Sequence, residues 1–232
     1  MSPARSEPDL ARLTTACRIL AAQGHADLNL GHISLRDTDP ARFWMKRAGP
    51  GLDEVTPDDL LLLDMDGTII RGDGGLHLEW PIHAEVLRAR ADVMAVGHTH
   101  GFWTAVLSAS ADATLRPLTH AGAYFPAGVP RFDVTGNLVR TGESGRALAA
   151  ALGTADGVLM RNHGATFCGS TLEHATVAGL QLERAAHAEL TLRATGDPGW
   201  ETTLAEAEEK RSTIYTDAAV RSMFDWCGRR LR

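Results

Sequence analysis

Cysteine is scarce in this chain, and its three cysteines form no recognisable pattern. Cys17, Cys168 and Cys227 are far apart and include no C-x-x-C pair. Small secreted domains that depend on disulfides carry an even, closely spaced set of cysteines, so the sequence argues against that class. We therefore expect a protein of a reducing compartment.

Long apolar runs are also missing. No run approaches the roughly 18 residues that a membrane-spanning helix needs. The segment Met1 to Leu10 lacks the basic and apolar blocks of a signal peptide. From these two absences we expect a cytoplasmic protein that does not bind a membrane.

Positive charge is in deficit, because 23 basic residues face 29 acidic ones and the formal net charge is −6. This balance removes a general attraction to nucleic acid or anionic lipid, and it favours a small-molecule substrate. Only Lys46 and Lys210 are lysines. The other basic residues are arginines, which bind carboxylate and phosphate groups in a bidentate manner.

Local patterns predict helices and strands in an α/β arrangement. Apolar residues at helical spacing predict helices at 9–22, 81–91, 101–109, 145–152, 171–192 and across 201–231. Short apolar runs between turn residues predict strands at 28–35, 42–45, 60–65, 68–70, 93–98 and 157–160. No repeat or clear linker interrupts the chain, so we expect one domain over residues 1–232.

Histidines follow two of the predicted strands. His98 and His100 stand two positions apart, so in extended backbone they project from one face, roughly 6–7 Å apart, and can chelate one cation. His163 can add a third imidazole, because Gly164 permits a tight turn that aims the side chain inward. Three protein ligands leave an open coordination position, as in catalytic metal sites. A lone His-x-His is as often an exposed or hydrogen-bonded pair, so the prediction depends on His163 and on Glu79.

Glu79 lies at the predicted start of a helix, between Leu78 and Trp80. Apolar neighbours would raise the pKa of its carboxyl toward the range useful for proton transfer. The alternative is a solvated acid that the helix dipole favours. We predict that Glu79 is the acid/base group beside the metal, and that His83 packs on the same helical face.

The order of these motifs along the chain resembles the class II aldolase and adducin family from about residue 10 to 192. The motifs are Gly31-His32-Ile33-Ser34, Asp64-x-Asp66-Gly67, Glu79 with His83, His98-x-His100 and Asn162-His163-Gly164. The resemblance implies an α/β/α sandwich on a central, largely antiparallel sheet.

The same resemblance implies a chemistry. It assigns His98, His100 and His163 as ligands of one divalent ion, with zinc as the first expectation and manganese or iron as alternatives, and Glu79 as the group that handles the proton. The ion would act as a Lewis acid on a carbonyl or enediolate oxygen, which stabilises the charge that carbon–carbon cleavage creates. Family members are commonly cyclic tetramers, so a homo-oligomer is expected.

Departures from the sugar-phosphate aldolases of this family indicate another substrate. Those enzymes have Gly-Asn in the first motif and a serine pair before the glutamate, where this chain has Gly31-His32 and His77-Leu78. The stretch 43–51 lacks their Ser-Gly and offers Lys46 and Arg47, which suit a carboxylate. These features resemble the branch that decarboxylates hydroxylated aromatic or ring-cleaved acids.

Five further residues are candidate substrate contacts, namely His32, Ser34, Arg47, His120 and Tyr124. His32 and Ser34 could equally form a buried hydrogen-bonded pair. Tyr124 could equally be a half-buried aromatic residue with its hydroxyl in water.

Different functions fit parts of the sequence. Residues 61–70 are similar to the nucleophile motif of haloacid-dehalogenase phosphatases, in which Asp64 would attack phosphorus. That family also needs a later lysine followed by paired acids, and Lys210, the only later lysine, has no such pair after it, so we interpret Asp66-Gly67 as a hairpin turn. An aldolase acting on a (phospho)ketose, a three-histidine iron oxygenase and a non-catalytic adducin-like module are also compatible with the three histidines or the family resemblance.

Overall fold

A computed structural model describes residues 7–112 and 114–231 of the chain. Its strands are β1 (His32–Arg36), β2 (Arg42–Lys46), β3 (Leu60–Asp64), β4 (Ile69–Arg71), β5 (Ala95–Thr99), β6 (Arg131–Phe132), β7 (Gly157–Met160) and β8 (Gly164–Gly169). They form one sheet in the order β4-β3-β2-β1-β5-β8-β7-β6. Only the β6–β7 pair among these strands is parallel, so the predicted, largely antiparallel sheet is confirmed.

Helices cover both faces of this sheet. They are α1 (Glu7–Leu20), α2 (Trp80–Ala89), α3 (Phe102–Ala109), α4 (His120–Ala123), α5 (Gly142–Leu152), α6 (Leu172–Thr195), α7 (Leu204–Ile214) and α8 (Asp217–Gly228). Pro57–Asp59 adds one short 3-10 turn. The α/β/α sandwich that the family resemblance implied is therefore confirmed.

Side-chain alternation along the strands divides the apolar interior into two cores. In β3, Leu60 and Leu62 point to the core shared with α1, α6 and α8, whereas Leu61 and Leu63 point to the core shared with α2 and α5. In β1, Ile33 and Leu35 face the first core. The alternate residues of β1, which begin with His32, therefore face the α2 side of the sheet.

The predicted strand at 28–35 is wrong in its first half. Leu28 has a positive φ of 51°, and an isolated bridge joins Asp27 to Leu30, so the chain turns here and β1 begins only at His32. The predicted helix at 171–192 is confirmed as α6, with the Thr171 side chain accepting a hydrogen bond from the His174 N–H at its start. Threonine at this position satisfies a backbone donor that the first helical turn leaves unpaired.

The predicted helical tail consists of two helices, α7 and α8, which meet at Tyr215 and Thr216. Tyr215, Val220 and Phe224 are buried in the first core, so the tail packs on the sheet sandwich. The three cysteines are free and buried. Among the residues that the structure describes, no helix is long and apolar enough to span a bilayer.

Candidate metal centre and adjoining cavity

Pairing of β1 with β5 brings the first predicted ligand into position. The antiparallel register sets His32 opposite His98, so both side chains lie on the α2 face of the sheet. His98 is fully buried. His100 lies one residue beyond the end of β5, and its ring centroid is 5.0 Å from that of His98.

A tight turn between β7 and β8 supplies His163. Asn162 adopts a left-handed φ of 56°, a conformation that asparagine tolerates better than most residues. Gly164 has a different role from the predicted one, because it is needed for space and not for a turn. A Cβ at this position would lie 2.4 Å from the Thr99 carbonyl oxygen, so only glycine lets β8 approach β5 here.

The three imidazoles present the same nitrogen to a common point. One ring nitrogen each of His98, His100 and His163 and one carboxylate oxygen of Glu79 all lie within 4.8 Å of one another, and Nε2 makes the short contacts among these residues. Nδ1 of His98 is 3.1 Å from the Ala165 carbonyl oxygen, to which it donates. Nδ1 of His100 donates to the Asp27 carboxylate at 2.9 Å. Nε2 of each of these two rings is therefore unprotonated and carries a lone pair.

A cation between the rings could satisfy these lone pairs. Nε2 of His98 and Nε2 of His100 are only 3.2 Å apart. Nε2 of His163 is buried without a hydrogen-bond partner among the described residues. Buried acceptors without a donor are costly, and a divalent ion on imidazole nitrogens satisfies all of them at once. The set of side chains present could thus hold one metal ion.

Glu79 is buried between these imidazoles and a backbone donor. Its Oε1 accepts a hydrogen bond from the Val139 N–H at 2.8 Å, and its Oε2 lies 3.3 Å from Nε2 of His98 and 3.5 Å from Nε2 of His163. It does not cap α2 with its side chain. The alternative of a solvated helix-end acid is therefore wrong.

The predicted rise in the pKa of Glu79 is also wrong. Burial raises this pKa, but the imidazoles of His98 and His163 beside Oε2 favour the charged carboxylate, outweigh burial and hold the pKa well below its usual range. Glu79 is therefore a carboxylate in the resting site. The same oxygen can complete a metal ligand set or accept a proton from a bound molecule.

Beside these groups lies a cavity of about 200 Å³. Its walls are mostly apolar, and its polar side chains are imidazoles and one carboxylate. The lining residues are Leu30, Gly31, His32, Ala48, Leu76, His77, Leu78, Glu79, His98, His100 and Leu138. No lysine or arginine is among them.

The structure separates the predicted substrate contacts. His32 lines the cavity, whereas Ser34 is fully buried behind it and 2.7 Å from Nδ1 of His83. Arg47 does not line the cavity, because its guanidinium binds the Asp59 carboxylate at 2.8 and 2.9 Å. Arg47 is therefore not available to bind a substrate carboxylate in this structure.

The two candidates from the middle of the chain lie elsewhere. His120 is exposed at the start of α4. Tyr124 is 1% exposed, and its hydroxyl donates to the His174 carbonyl oxygen at 3.3 Å. Neither side chain lines the cavity beside Glu79. A half-buried Tyr124 ring with a solvated hydroxyl is not found either.

Sequence comparison agrees with this geometry. The family model for the class II aldolase and adducin N-terminal domain matches residues 11–190. The chain belongs to the class II aldolase and adducin family. Members of this family use a divalent metal, and the chain is a lyase-type enzyme of its decarboxylase-like branch. The non-catalytic alternative is thereby removed.

Two curated relatives and one solved structure illustrate the match. A 3,4-dihydroxyphthalate decarboxylase of Terrabacter sp. (strain DBF63) is 34% identical over 78% of this chain and 80% of that protein. A 4-hydroxy-3-prenylphenylpyruvate oxygenase/4-hydroxy-3-prenylbenzoate synthase of Streptomyces roseochromogenus subsp. oscitans is 32% identical over 72% of this chain and 61% of that protein. An aldolase II superfamily protein from Pseudomonas syringae superposes with a TM-score of 0.83 at 26% identity, covering 98% and 94% of the two chains.

Sequence patterns missed Asp27 and did not predict the contacts of His77 and Lys46 around this family site. Asp27 binds His100, His77 lines the cavity, and Lys46 is fully buried behind His77 with its Nζ 3.0 Å from Nε2 of that ring. In the sequence, His77 stands only where a phosphate-binding serine is missing, and Lys46 is predicted to suit a substrate carboxylate, whereas in the structure its Nζ binds His77 and the Pro50 carbonyl oxygen. Their contacts depend on long-range folding, which no local spacing reports.

Proposed function

We propose that the protein is a divalent-metal-dependent decarboxylase of a small hydroxylated aromatic acid, or of a ring-cleaved acid of similar size. The observation that carries this proposal is the cavity beside Glu79, which joins apolar walls to a cluster of imidazoles. Leu30, Leu76 and Leu138 offer faces on which a flat apolar ring can pack. The relative named as a decarboxylase of a dihydroxylated aromatic diacid supports the same class of substrate.

The cavity is poorly suited to a phosphate group. Phosphate sites in proteins use arginine, lysine or a group of backbone N–H donors. The two positions next to Glu79 that would carry a serine pair are His77 and Leu78, and no lysine or arginine among the described residues lines the cavity. A sugar-phosphate aldolase is therefore the weaker alternative.

His98, His100 and His163 would hold the ion, with Glu79 close enough to be a fourth ligand. A divalent ion supplies a Lewis acid that stabilises negative charge developing on a substrate oxygen. Glu79 supplies the proton transfer. As a carboxylate it accepts the proton of the substrate hydroxyl, and it returns that proton to the ring carbon whose bond to CO₂ has broken. The hydroxyl proton thus ends on the ring carbon, the product is formed as a phenolate with release of CO₂, and this phenolate takes one proton from water as it leaves.

Apolar walls contribute by excluding water from this transfer. Glu79 is 6% exposed and His98 is fully buried, so the charges involved are poorly screened. The Val139 N–H fixes one oxygen of Glu79 and leaves the other pointing at the imidazoles. This arrangement keeps the reactive oxygen in one place through both proton steps.

An oxygenase is a second candidate function. The relative from Streptomyces roseochromogenus is named as an oxygenase, and iron accepts the imidazole ligands that this site offers.

The cytoplasmic location and the homo-oligomer stay predictions. Exposed leucines at the mouth of the cavity, Leu78 at 62% and Leu30 at 43%, are compatible with a partner copy covering it.

A direct experiment separates these functions. Protein stripped with a chelator and reloaded with zinc, manganese or iron(II) is supplied with 3,4-dihydroxyphthalate, and both CO₂ release and O₂ uptake are followed. We expect metal-dependent CO₂ release with no O₂ uptake. O₂ uptake that parallels product formation and occurs only with iron would favour the oxygenase. In a parallel assay with L-fuculose 1-phosphate as substrate, cleavage without CO₂ release would favour the aldolase.

A further inference from the structure

A chain of three buried polar side chains ends at the cavity. Oγ of Ser34 is 2.7 Å from Nδ1 of His83, and Nε2 of His83 is 2.6 Å from Nδ1 of His32. Ser34 and His83 are fully buried and His32 is 3% exposed. Of the three residues only His32 lines the cavity.

The hydrogen-bond directions in this series of side chains follow from Ser34, its most deeply buried end. The Ser34 hydroxyl donates to the Val96 carbonyl oxygen at 3.4 Å, so its oxygen accepts the Nδ1–H of His83. Burial lowers the pKa of His83 to about 3, which keeps the ring neutral with one proton. Nε2 of His83 is therefore an acceptor, and it takes the Nδ1–H of His32.

The hydrogen bonds from Ser34 through His83 determine which nitrogen of His32 carries its proton. The His32 ring is 3% exposed and packs against the His77 ring, its Nδ1–H is used in the bond to His83, and Nε2 therefore holds the lone pair of a neutral ring. Among the described residues Nε2 of His32 has no hydrogen-bond partner. This nitrogen is not among the fully buried unpaired atoms, and the His32 side chain lines the cavity. An acceptor is thus presented where a ligand can reach it.

Neighbouring imidazoles do not compete for this role. The ring of His77, 4.6 Å from that of His32, accepts a hydrogen bond at Nε2 from Nζ of Lys46. The ring of His98, 5.3 Å from that of His32, turns its Nε2 toward His100 and Glu79. His32 is thus the imidazole of this group that offers an acceptor away from the predicted metal ligands.

We propose that Nε2 of His32 accepts a hydrogen bond from a hydroxyl group of the substrate, and that Ser34 and His83 are positioning residues that hold His32 in this tautomer. The substrate class is then an aromatic acid with a hydroxyl next to the metal-bound end, which rests on the proposed function. Ser34 does not touch substrate. The histidine of the first motif replaces a phosphate-binding asparagine with a hydroxyl acceptor.

A spectroscopic measurement tests the tautomer without any substrate. In zinc-loaded protein with ¹⁵N-labelled histidine rings, the signals of His32 are assigned by their absence in His32→Gln. We expect Nδ1 of His32 to carry the proton and Nε2 to have the shift of an unprotonated nitrogen. Protonation at Nε2 would overturn the proposal.

A binding cycle tests recognition of the hydroxyl. The ligands are 3,4-dihydroxybenzoate and its two monohydroxy analogues, and the proteins are wild type, His32→Leu and His32→Gln, all checked for equal zinc content. We expect His32→Leu to weaken the dihydroxy acid about tenfold, the value of one hydrogen bond, and to leave unchanged the analogue that lacks the contacting hydroxyl. His32→Gln, whose amide oxygen reaches the position of Nε2, should restore most of the affinity.

The outcomes separate this proposal from the proposed function. A loss of equal size for all three ligands would show that His32 does not contact a hydroxyl, while the decarboxylase proposal would stand. Failure of zinc-loaded wild type to bind any of these acids would contradict both. Ser34→Ala should weaken only the ligands that carry the contacting hydroxyl, by a smaller factor than His32→Leu, because a purely structural role would affect every ligand.

Discussion

The carboxylate of Asp27 accepts a hydrogen bond from Nδ1 of His100 at 2.9 Å. Asp27 lies in the turn before β1, outside every motif of the family resemblance. A carboxylate in this position fixes the tautomer and the orientation of an imidazole whose other nitrogen is free to bind a metal, and it makes that nitrogen more basic. The turn at residues 27–30 thus takes part in building the predicted metal centre.

Replacing Asp27 with alanine should lower the affinity for zinc about 10–100-fold, the usual cost of losing such a partner. Asp27→Asn should lose less, because its amide oxygen still accepts the hydrogen bond. Competition with a fluorescent chelator measures both affinities. Asp73→Ala is the matched control, since Asp73 is an exposed acid in a turn. Equal affinities for Asp27→Ala and this control would show that Asp27 does not support a ligand.

Removing any one predicted ligand should abolish stable metal binding. We expect His98→Ala, His100→Ala and His163→Ala to fold but to lose the thermal stabilisation that excess zinc gives the wild type, which is about 2.7 kcal/mol at a hundredfold excess over Kd. Calorimetry with and without zinc measures the difference. His120→Ala, which removes an exposed histidine remote from the cavity, should behave as the wild type. Two ligand variants that retained one zinc per chain would contradict the assignment.

Asp64 should matter for the hairpin and not for chemistry. Its Oδ1 accepts hydrogen bonds from the backbone N–H groups of Asp66 at 2.9 Å and Thr68 at 2.8 Å. These bonds shape the β3–β4 turn, so Asp64→Ala should cost about 1 kcal/mol of stability while turnover persists. Denaturant unfolding and CO₂ release measure the two effects. A phosphomonoesterase activity that disappears in Asp64→Asn would instead restore the phosphatase hypothesis.

Buried His25 should make the fold sensitive to mild acid. Its Nδ1 bonds Oγ1 of Thr99, its ring contacts Phe167, and burial lowers its pKa to about 4 against a weaker opposing effect of the Gly179 carbonyl. The unfolded chain binds this proton near the ordinary pKa of 6.5, so the stability is complete above that pH and is lost as the pH falls toward 4.

Between about pH 7 and about pH 4.5 this group alone should remove about 2.5 kcal/mol from the free energy of unfolding. His25→Gln lacks the titrating group, so the stability gap between it and the wild type should shrink by that amount over the same range. Urea unfolding of metal-free protein at several pH values measures the gap. A gap independent of pH would mean that His25 does not titrate as described.

Local sequence predicts most of the elements, although it misses β6 and β8, and it selects three histidines that the structure brings together. Strand runs that end in histidine, such as 93–98, place His98 and His100 correctly, because backbone geometry alone sets the direction of side chains two positions apart. Local sequence does not place Tyr124 or His120, whose positions depend on how α4 packs. It also misses the lowered pKa of Glu79, because the flanking residues reveal that this side chain is buried but not that the imidazoles of His98 and His163 lie beside its carboxylate.

The pairing of Arg47 with Asp59 makes the same point for charges. From sequence, Arg47 is a candidate contact for a substrate carboxylate, whereas the structure shows it bound to Asp59, an acid twelve positions away that also receives the Thr56 N–H. Spacing cannot reveal which charges neutralise each other. The buried polar chain from Ser34 to His32 is likewise hidden, because its central residue, His83, comes from a helix distant in sequence.

Glu79 offers the sharpest separation of chemistry from binding. In Glu79→Gln the amide oxygen can still accept the Val139 N–H, so the side chain should stay in place. The three imidazoles are unchanged and should retain the metal. The variant cannot accept the hydroxyl proton or return it to carbon, so kcat should fall about 10²–10⁴-fold, the usual contribution of a general acid/base group.

The required measurements are zinc content, the affinity for 3,4-dihydroxybenzoate, and the rate of CO₂ release at saturating substrate. We expect the first two to change little and the third to collapse, because only proton transfer needs an ionisable group at this position. Loss of zinc in proportion to activity would show instead that Oε2 of Glu79 is mainly a ligand. Normal turnover in Glu79→Gln would mean that another group moves the proton, and His77, the cavity imidazole held by Lys46, would then be the next residue to replace.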